Sequence, residues 1–295
     1  MEAYLKIINY EKNFVIYFSL KHFFVGCKKE GVYNPKEKIK RVYYERGLDA
    51  STKRLVEEWT WEKNNLVKID YYDDNYGIIK IDYTEILSYD DKNRLTRIQD
   101  FVFNERYEIT YDKKLISKIE LYIDNELYQI MNFKYDRNKI VEVSVIEIDN
   151  SKILVSKSNK PQSYISKILP YEIPENTMRT KAASLSYIYT FEYDGDNLSK
   201  VKYIDDDNRV REYNYENYDK YKNPFYSSRF ISNNIESGFS KNNVGKITTT
   251  TIGNTVRTTE FEYVYDGKFP IEIIERTTYS GSDLIWIYKT YYEYQ

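Results

Sequence analysis

The chain is poor in the side chains that carry most enzyme chemistry. Its 295 residues include one His, His22, and one Cys, Cys27. Both lie in the first tenth of the sequence, so the remainder has neither. That excludes Ser-His-Asp and Cys-His catalysis from residues 28–295. It excludes zinc sites built on His or Cys there too. No disulfide can form within the chain, so Cys usage says nothing about compartment. Ala occurs only at 3, 50, 182 and 183, which weakens the case for helices. The net charge is −2, with Lys+Arg and Asp+Glu interspersed. No basic stripe marks a nucleic-acid interface, and no acidic block marks a disordered tail. No apolar run is long enough for a membrane-spanning helix.

What the chain does have is aromatic and β-branched. It contains 34 Tyr and 13 Phe. A Tyr buries a large ring and keeps its hydroxyl wet. With plentiful Thr, Ile and Val, this composition favours strands. The one segment of different character is the N-terminus. Phe14–Leu20 is a short apolar run, interrupted by Lys21-His22 and resumed at Phe23–Gly26. It fits the apolar core of a secretory signal. The ending "FVGC" resembles the bacterial lipoprotein signal, with cleavage before Cys27 and lipid on its sulfur. The expectation is a signal over 1–26 and a tether and first strand over 27–45. The alternative is a buried N-terminal strand with an ordinary core Cys.

One phrase recurs along the rest. It reads "LSYDDKNRLTRI" at 87–98, "ITYDKKLISKI" at 109–119, "FKYDRNKIVEV" at 133–143, "FEYDGDNLSKV" at 191–201 and "YVYDGKFPIEI" at 263–273. "YYDDNYGIIKI" (71–81) and "WTWEKNNLVKI" (59–69) share its grammar. An apolar residue stands two before each Tyr, on the same face of a strand. A polar turn and a second alternating run follow the Asp. Each phrase therefore predicts a β-hairpin whose Asp bonds turn amides. "GN" at 253–254 and "SGSD" at 280–283 predict two more hairpins over 246–295. The predicted fold is all-β. It is a large antiparallel sheet of consecutive hairpins, a meander strongly twisted or partly closed, with few or no long helices. Residues 46–295 read as one domain, with irregular excursions near 150–185 and 222–245.

With these phrases in view, "YDDKNRLTRI" resembles the YD repeat of bacterial Rhs-type shells and toxin cocoons. Together with "YDKYKNPF" (218–225), "SKNNVGKI" (240–247) and "VGCKKE", it is similar to YD-repeat-like lipoproteins of Gram-negative gut bacteria, a family of unknown function. That resemblance implies an antiparallel all-β fold and an envelope location. It implies no activity, and no cofactor is expected.

The candidate sites are few. Cys27 is the expected lipidation site. Trp59, Trp61, Tyr213, Tyr215, Trp286, Tyr288, Tyr292 and Tyr294 form same-face aromatic stripes that could present a binding face. Three adjacent carboxylates, Asp205-Asp206-Asp207, lack the alternating spacing and the Gly of a Ca²⁺ loop and read as a turn. No metal site is expected. The functional expectation is an envelope lipoprotein, anchored in the outer membrane. It would be a monomeric, non-catalytic binding or structural module for a glycan or a partner protein, and would take no nucleic acid. The alternatives are a carrier of an apolar ligand on a curved sheet and a carboxylate-based glycoside hydrolase.

Overall fold

The computed structural model describes residues 33–47, 53–75, 78–148, 186–226, 238–250 and 255–295. The signal segment, Cys27 and the 150–185 excursion lie outside the described residues. The first eight strands are β1 (Ile39–Arg46), β2 (Arg54–Glu62), β3 (Asn65–Asn75), β4 (Ile78–Tyr89), β5 (Leu95–Asp100), β6 (Glu105–Asp112), β7 (Leu115–Ile123) and β8 (Glu126–Asp136). The second eight are β9 (Lys139–Glu147), β10 (Ser186–Asp194), β11 (Asn197–Ile204), β12 (Val210–Glu216), β13 (Lys246–Thr250), β14 (Val256–Asp266), β15 (Phe269–Tyr279) and β16 (Ile285–Tyr294). Each strand pairs antiparallel with its sequence neighbours, and β1 pairs with β16. The meander thus closes completely into a sixteen-stranded barrel. Closure leaves no sheet edge.

The five Tyr-Asp phrases first quoted and the Trp61-Glu62 phrase turn at the same end of this barrel, whereas "YYDDNYGIIKI" (71–81) joins β3 to β4 at the other end. At that Tyr-Asp end, the aromatic residue closing one strand reaches sideways to the start of the preceding strand. Tyr89 OH donates to the Leu66 carbonyl at 2.7 Å, Tyr111 to Leu95 at 2.6 Å, and Tyr135 to Ile116 at 2.8 Å. Tyr218 donates to Leu198, Tyr263 to Val244 and Tyr294 to Pro270. Trp61 makes the same link with its indole N–H, to the Ile39 carbonyl at 2.7 Å. Each bond ties one hairpin to the previous one where no turn joins them. In these hairpins the rim aromatic is therefore a register lock, supplied at β14 by Tyr263 while the phrase Tyr265 donates to Asp219 instead.

The turns use two chemistries. In the longer turn after Tyr89, Asp90 Oδ1 accepts the amides of Lys92 and Arg94, and Arg94 Nε donates to Oδ2 at 2.7 Å. In the two-residue turns the Asp forms the last ladder pair instead, as Asp112 does with Leu115 and Asp136 with Lys139. The reversal there is made by residues with positive φ, such as Lys113 (54°), and Arg137 and Asn138 (48° and 67°). The ladder shifts register beside nearly every phrase aromatic, for example between Thr110 and Tyr111. Such bulges add twist, which helps a long sheet curl shut.

Side chains alternate in and out with a clear division of labour. Ile119, Met131, Val145 and Tyr187 lie in one inward row across β7 to β10, all buried. The neighbouring outward positions carry ion pairs. Arg97 meets Glu108 at 2.8 Å, Lys118 meets Glu120 at 2.9 Å, Lys134 meets Glu142 at 2.6 Å and Arg276 meets Glu262 at 2.9 Å. Inside, a single apolar core fills the Tyr-Asp half of the barrel. The segment linking β12 to β13 completes that core. Phe225 packs edge-on against Trp59 of β2 and Tyr292 of β16, across the lumen from its own strands. Phe239 stacks on Phe191, and Tyr33 OH donates to the Pro224 carbonyl. Gly245 is required where this segment rejoins the wall, since a Cβ there would run into the Asn217 carbonyl.

The rim lock can be measured. Tyr111→Phe keeps the ring and leaves the half-buried Leu95 carbonyl short of a donor. It should cost about 1 kcal/mol of unfolding free energy in urea. Tyr122→Phe, on the outer wall, should change the urea midpoint little.

Candidate functional site

The end opposite the Tyr-Asp turns, here the far end, is built differently. There the inward positions turn polar and charged. On β2 to β9 they include Glu57, Glu85, Asp100, Glu105 and Glu147. Glu85, Asp100 and Glu105 stand directly opposite one another across three strands, and all are buried. Tyr71 OH donates to Glu85 at 3.1 Å, and Asp100 accepts the amides of Val102 and Phe103. Gln129 donates to Glu147 and to Tyr187 OH. The other arc of the wall is basic. Arg211, Arg257, Arg46 and Arg54 occupy inward positions on β12, β14, β1 and β2 near the same mouth. The inward assignment follows from the pairing. Val42 and Tyr292 are both buried in the core and lie opposite each other, so Tyr44 and Arg46 follow on the same face.

Aromatic rings support the basic arc. Tyr44 and Tyr288 stack with centroids 5.8 Å apart. The Arg46 guanidinium lies 5.1 Å from the Trp286 ring, and that of Arg54 lies 5.8 Å from Tyr44. Burial pushes the Tyr44 phenol up to about 12, helped by Tyr288 and Glu275 and opposed by Arg46 and Arg54. Glu275 lies deeper, opposite Tyr288, and accepts from Thr277 Oγ1 at 3.3 Å. Burial raises its carboxyl above the usual range, against Thr277 and Arg257, which lower it. Below it is a cavity of about 40 Å³, between Pro224 and Phe225 of the β12–β13 segment and Phe261, Ile273 and Thr290 of the wall. That is room for water. The mouth therefore narrows from arginine and tyrosine, through Glu275, to an apolar plug.

The expected aromatic face does not form one surface. Trp59, Tyr213, Tyr215 and Tyr292 are buried inside the barrel. Trp61 packs on Tyr33 and Trp59, and Tyr294 on Tyr292 and Phe269. Closure is the reason, because the face that an open sheet would present becomes the core. Only Trp286, 38% exposed, and Tyr288 reach the mouth. The Arg residues beside them carry no linear signal, since they lie on strands far apart in sequence.

The Asp205-Asp206-Asp207 carboxylates do come within 4.8 Å of one another. Asp205 is already engaged. Its Oδ1 accepts the amides of Asp207 and Arg209, and its Oδ2 accepts Arg209 Nε at 2.7 Å. Asp90 makes the same bonds with Lys92 in place of Asp207, so "DDxNR" is a turn.

No family model matches the chain, and no curated protein matches it. Solved structures do. A porin-like protein from Bacteroides uniformis superposes with a TM-score of 0.55 at 9% identity, over 87% of this chain and 98% of that one. A porin-like protein from Bacteroides vulgatus gives 0.51 at 11% identity, over 88% and 99%. These likenesses show the fold, and they correct two expectations. The chain is a closed barrel shared with porin-like proteins, not a member of the YD-repeat lipoproteins. Its repeated phrase is hairpin chemistry that any long meander could use. The expected lipoprotein module for a glycan or partner protein, its open curved-sheet carrier alternative and the hydrolase alternative give way for the same reason: the sheet closes on itself and the barrel is porin-like.

The buried carboxyl gives a pH test. With its folded-state value raised, Glu275 binds a proton more tightly in the native protein than in the unfolded chain. Stability should fall as pH rises from the unfolded carboxylate value through the folded one, then level off. Glu275→Gln should remove that fall, leaving the variant at least as stable as wild type at pH 8. Urea midpoints of both proteins at pH 5 and pH 8 check this.

Proposed function

We propose that the protein is a non-enzymatic, porin-like barrel of the cell envelope that receives small charged solutes at its far mouth and is shut at its Tyr-Asp end. The carrying observation is the contrast between the two ends of the lumen. One is walled by opposed acidic and basic arcs, and the other is filled by Phe225, Phe239 and Tyr33. The likeness to porin-like proteins supports a lumen function, and it supports the envelope location. The outer wall supports a barrel standing in water. Each Lys or Arg facing lipid at a bilayer midplane would cost roughly 2–4 kcal/mol. Charged pairs occur outside from β1–β16 round to β14–β15. A monomer belongs to the same reading, since closure removes the edges through which sheets join.

Cysteine labelling in a Cys27→Ser background tests this geometry. Tyr288→Cys, in the mouth, should react quickly with a small charged thiol reagent in the folded protein. Val244→Cys, behind the plug, should react at least about a hundredfold more slowly, at the rate of local opening. Equal rates would mean an open lumen and would overturn the reading, as would an unreactive Tyr288→Cys.

A second reading, a membrane channel, is favoured by where apolar residues are exposed. Among the described residues, every large exposed hydrophobic except Val264 and Ile271 lies at the far end. Ile79, Ile81, Phe101, Val102, Leu284 and Ile285 crown that rim. Exposed patches of this kind mark contact surfaces, bilayers included. No described helix could cross a membrane, which says nothing of strands. Planar-bilayer recording separates the two readings. The receptacle should give no conductance, and reproducible single-channel steps would establish the channel.

A further inference from the structure

Arg46 and Arg54 are cations of unusual standing in this molecule. Many of the others along the wall meet a carboxylate, as Arg41 meets Glu58, Arg94 meets Asp90 and Arg209 meets Asp205. Among the described residues neither Arg46 nor Arg54 has an ion pair. Each is instead held against an aromatic face, Arg46 on Trp286 and Arg54 on Tyr44. A guanidinium held over a ring by cation–π attraction uses no N–H donor on it, so its donors can serve an acceptor. Arg46 lies opposite Tyr288, and Tyr44 lies opposite Arg54 in the ladder. The two cations and three rings are therefore contiguous on one inner surface. Arg257 extends the positive wall, and the buried carboxylates Glu85, Asp100 and Glu105 sit on the far arc, while Glu57 shares β2 with Arg54 and Glu275 lies opposite Tyr288. Low-dielectric walls of one sign concentrate counter-ions between them.

From this geometry we infer that Arg46 and Arg54, with Tyr44, Tyr288 and Trp286, form a binding site for a small planar carboxylate, an aromatic or conjugated acid. A guanidinium edge matches a carboxylate in two parallel hydrogen bonds. A flat ring attached to that carboxylate finds Trp286 and the Tyr44–Tyr288 stack beside it, where offset stacking adds to the charge term. Glu275 lies below the rings and turns away a second negative charge, so the site takes a monoanion with its carboxylate toward the rim. The site deepens the receptacle reading and rests on it.

Calorimetric titration of the full chain with benzoate, with benzamidine as its cationic isostere and with inorganic phosphate tests the site. Benzoate should bind saturably at one site and weaken as salt is raised. Benzamidine should not bind, and phosphate should bind more weakly than benzoate. Arg46→Gln with Arg54→Gln should lower benzoate affinity about tenfold or more, the scale of losing charge-assisted bonds. Trp286→Ala should lower it several-fold while leaving any phosphate binding alone. Both changes lie at the solvent-exposed mouth, and an unchanged near-UV circular dichroism spectrum confirms the fold. Benzamidine binding as well as benzoate, phosphate binding as tightly, or affinity unmoved by the arginine changes would each overturn the site. So would an absence of benzoate binding while Tyr288→Cys still labels rapidly, which leaves the receptacle standing. A mouth closed to the thiol reagent would instead remove the reading beneath it.

Discussion

The pairing of β1 with β16 decides what kind of molecule this is. An open meander of fifteen or sixteen strands has two edges and two faces, both in water. Once Val42 lies opposite Tyr292, one face becomes an interior. Inward residues such as Ile119, Val145 and Tyr187 then contribute to a shared core, while outward pairs such as Lys134 and Glu142 lie outside it. The hydrophobic gain from the inner rows is available only to the closed form. The rim bonds of Trp61 and Tyr294 tie β2 to β1 and β16 to β15 on either side of the seam. The seam itself is held by its own ladder, from Ile39 opposite Tyr294 to Arg46 opposite Tyr288.

A sixteen-stranded ring encloses more space than wall side chains alone would fill, and this chain treats its two halves differently. At the Tyr-Asp end the surplus is taken up by chain. The described parts of the β12–β13 segment, 217–226 and 238–245, pack against the core, and several of their buried polar groups are paired. Asn223 donates to the Ser240 carbonyl and accepts the Phe225 amide, and Ser240 Oγ accepts the Leu198 amide. Asn243 is held by Asp219, which also accepts from Tyr265. Buried loops are costly unless every such group is paired. At the far end the surplus is left to ionisable side chains, and the mouth is what remains.

The strands were legible because their signals are local. Alternation, a Tyr-Asp pair and a turn residue such as Asn93 or Gly267 lie within about a dozen residues of each other, and each marks a hairpin the structure contains. The DDxNR turn was legible for the same reason. Closure was not, because nothing in residues 39–46 points to residues 285–294. Alternation shows that a strand has two faces without showing which will be concave. That gap produced the misplaced aromatic face. Trp59 and Tyr213 are apolar-face residues, and the sequence reads the same whether that face is a surface or a core. The mouth was invisible for the same reason, since Arg46, Arg54, Arg257 and Trp286 become neighbours only after closure. The Tyr-Asp phrase misled about kinship because it reports a local solution to hairpin register, available to any chain with many hairpins.

Fold and wall chemistry are separable in a barrel, and this chain shows how. Strand number and pairing are set by backbone and turns, while the period-two alternation decides which solvent each face meets. A barrel that spans lipid puts its apolar row outside. Here the apolar row is inside over the Tyr-Asp half, as Ile119 and Val145 show, with Lys118–Glu120 and Lys134–Glu142 outside. Toward the far rim the arrangement reverses in part. Ile130 and Ile146 pair on the outer wall, as do Ile188 and Ile204, while Glu105 and Glu147 face in. The outer wall thus carries charged pairs along the Tyr-Asp half and exposes its large apolar side chains mainly at the far rim. Any partner that meets the mouth, whether solute or surface, must cross that apolar rim before it reaches the arginines.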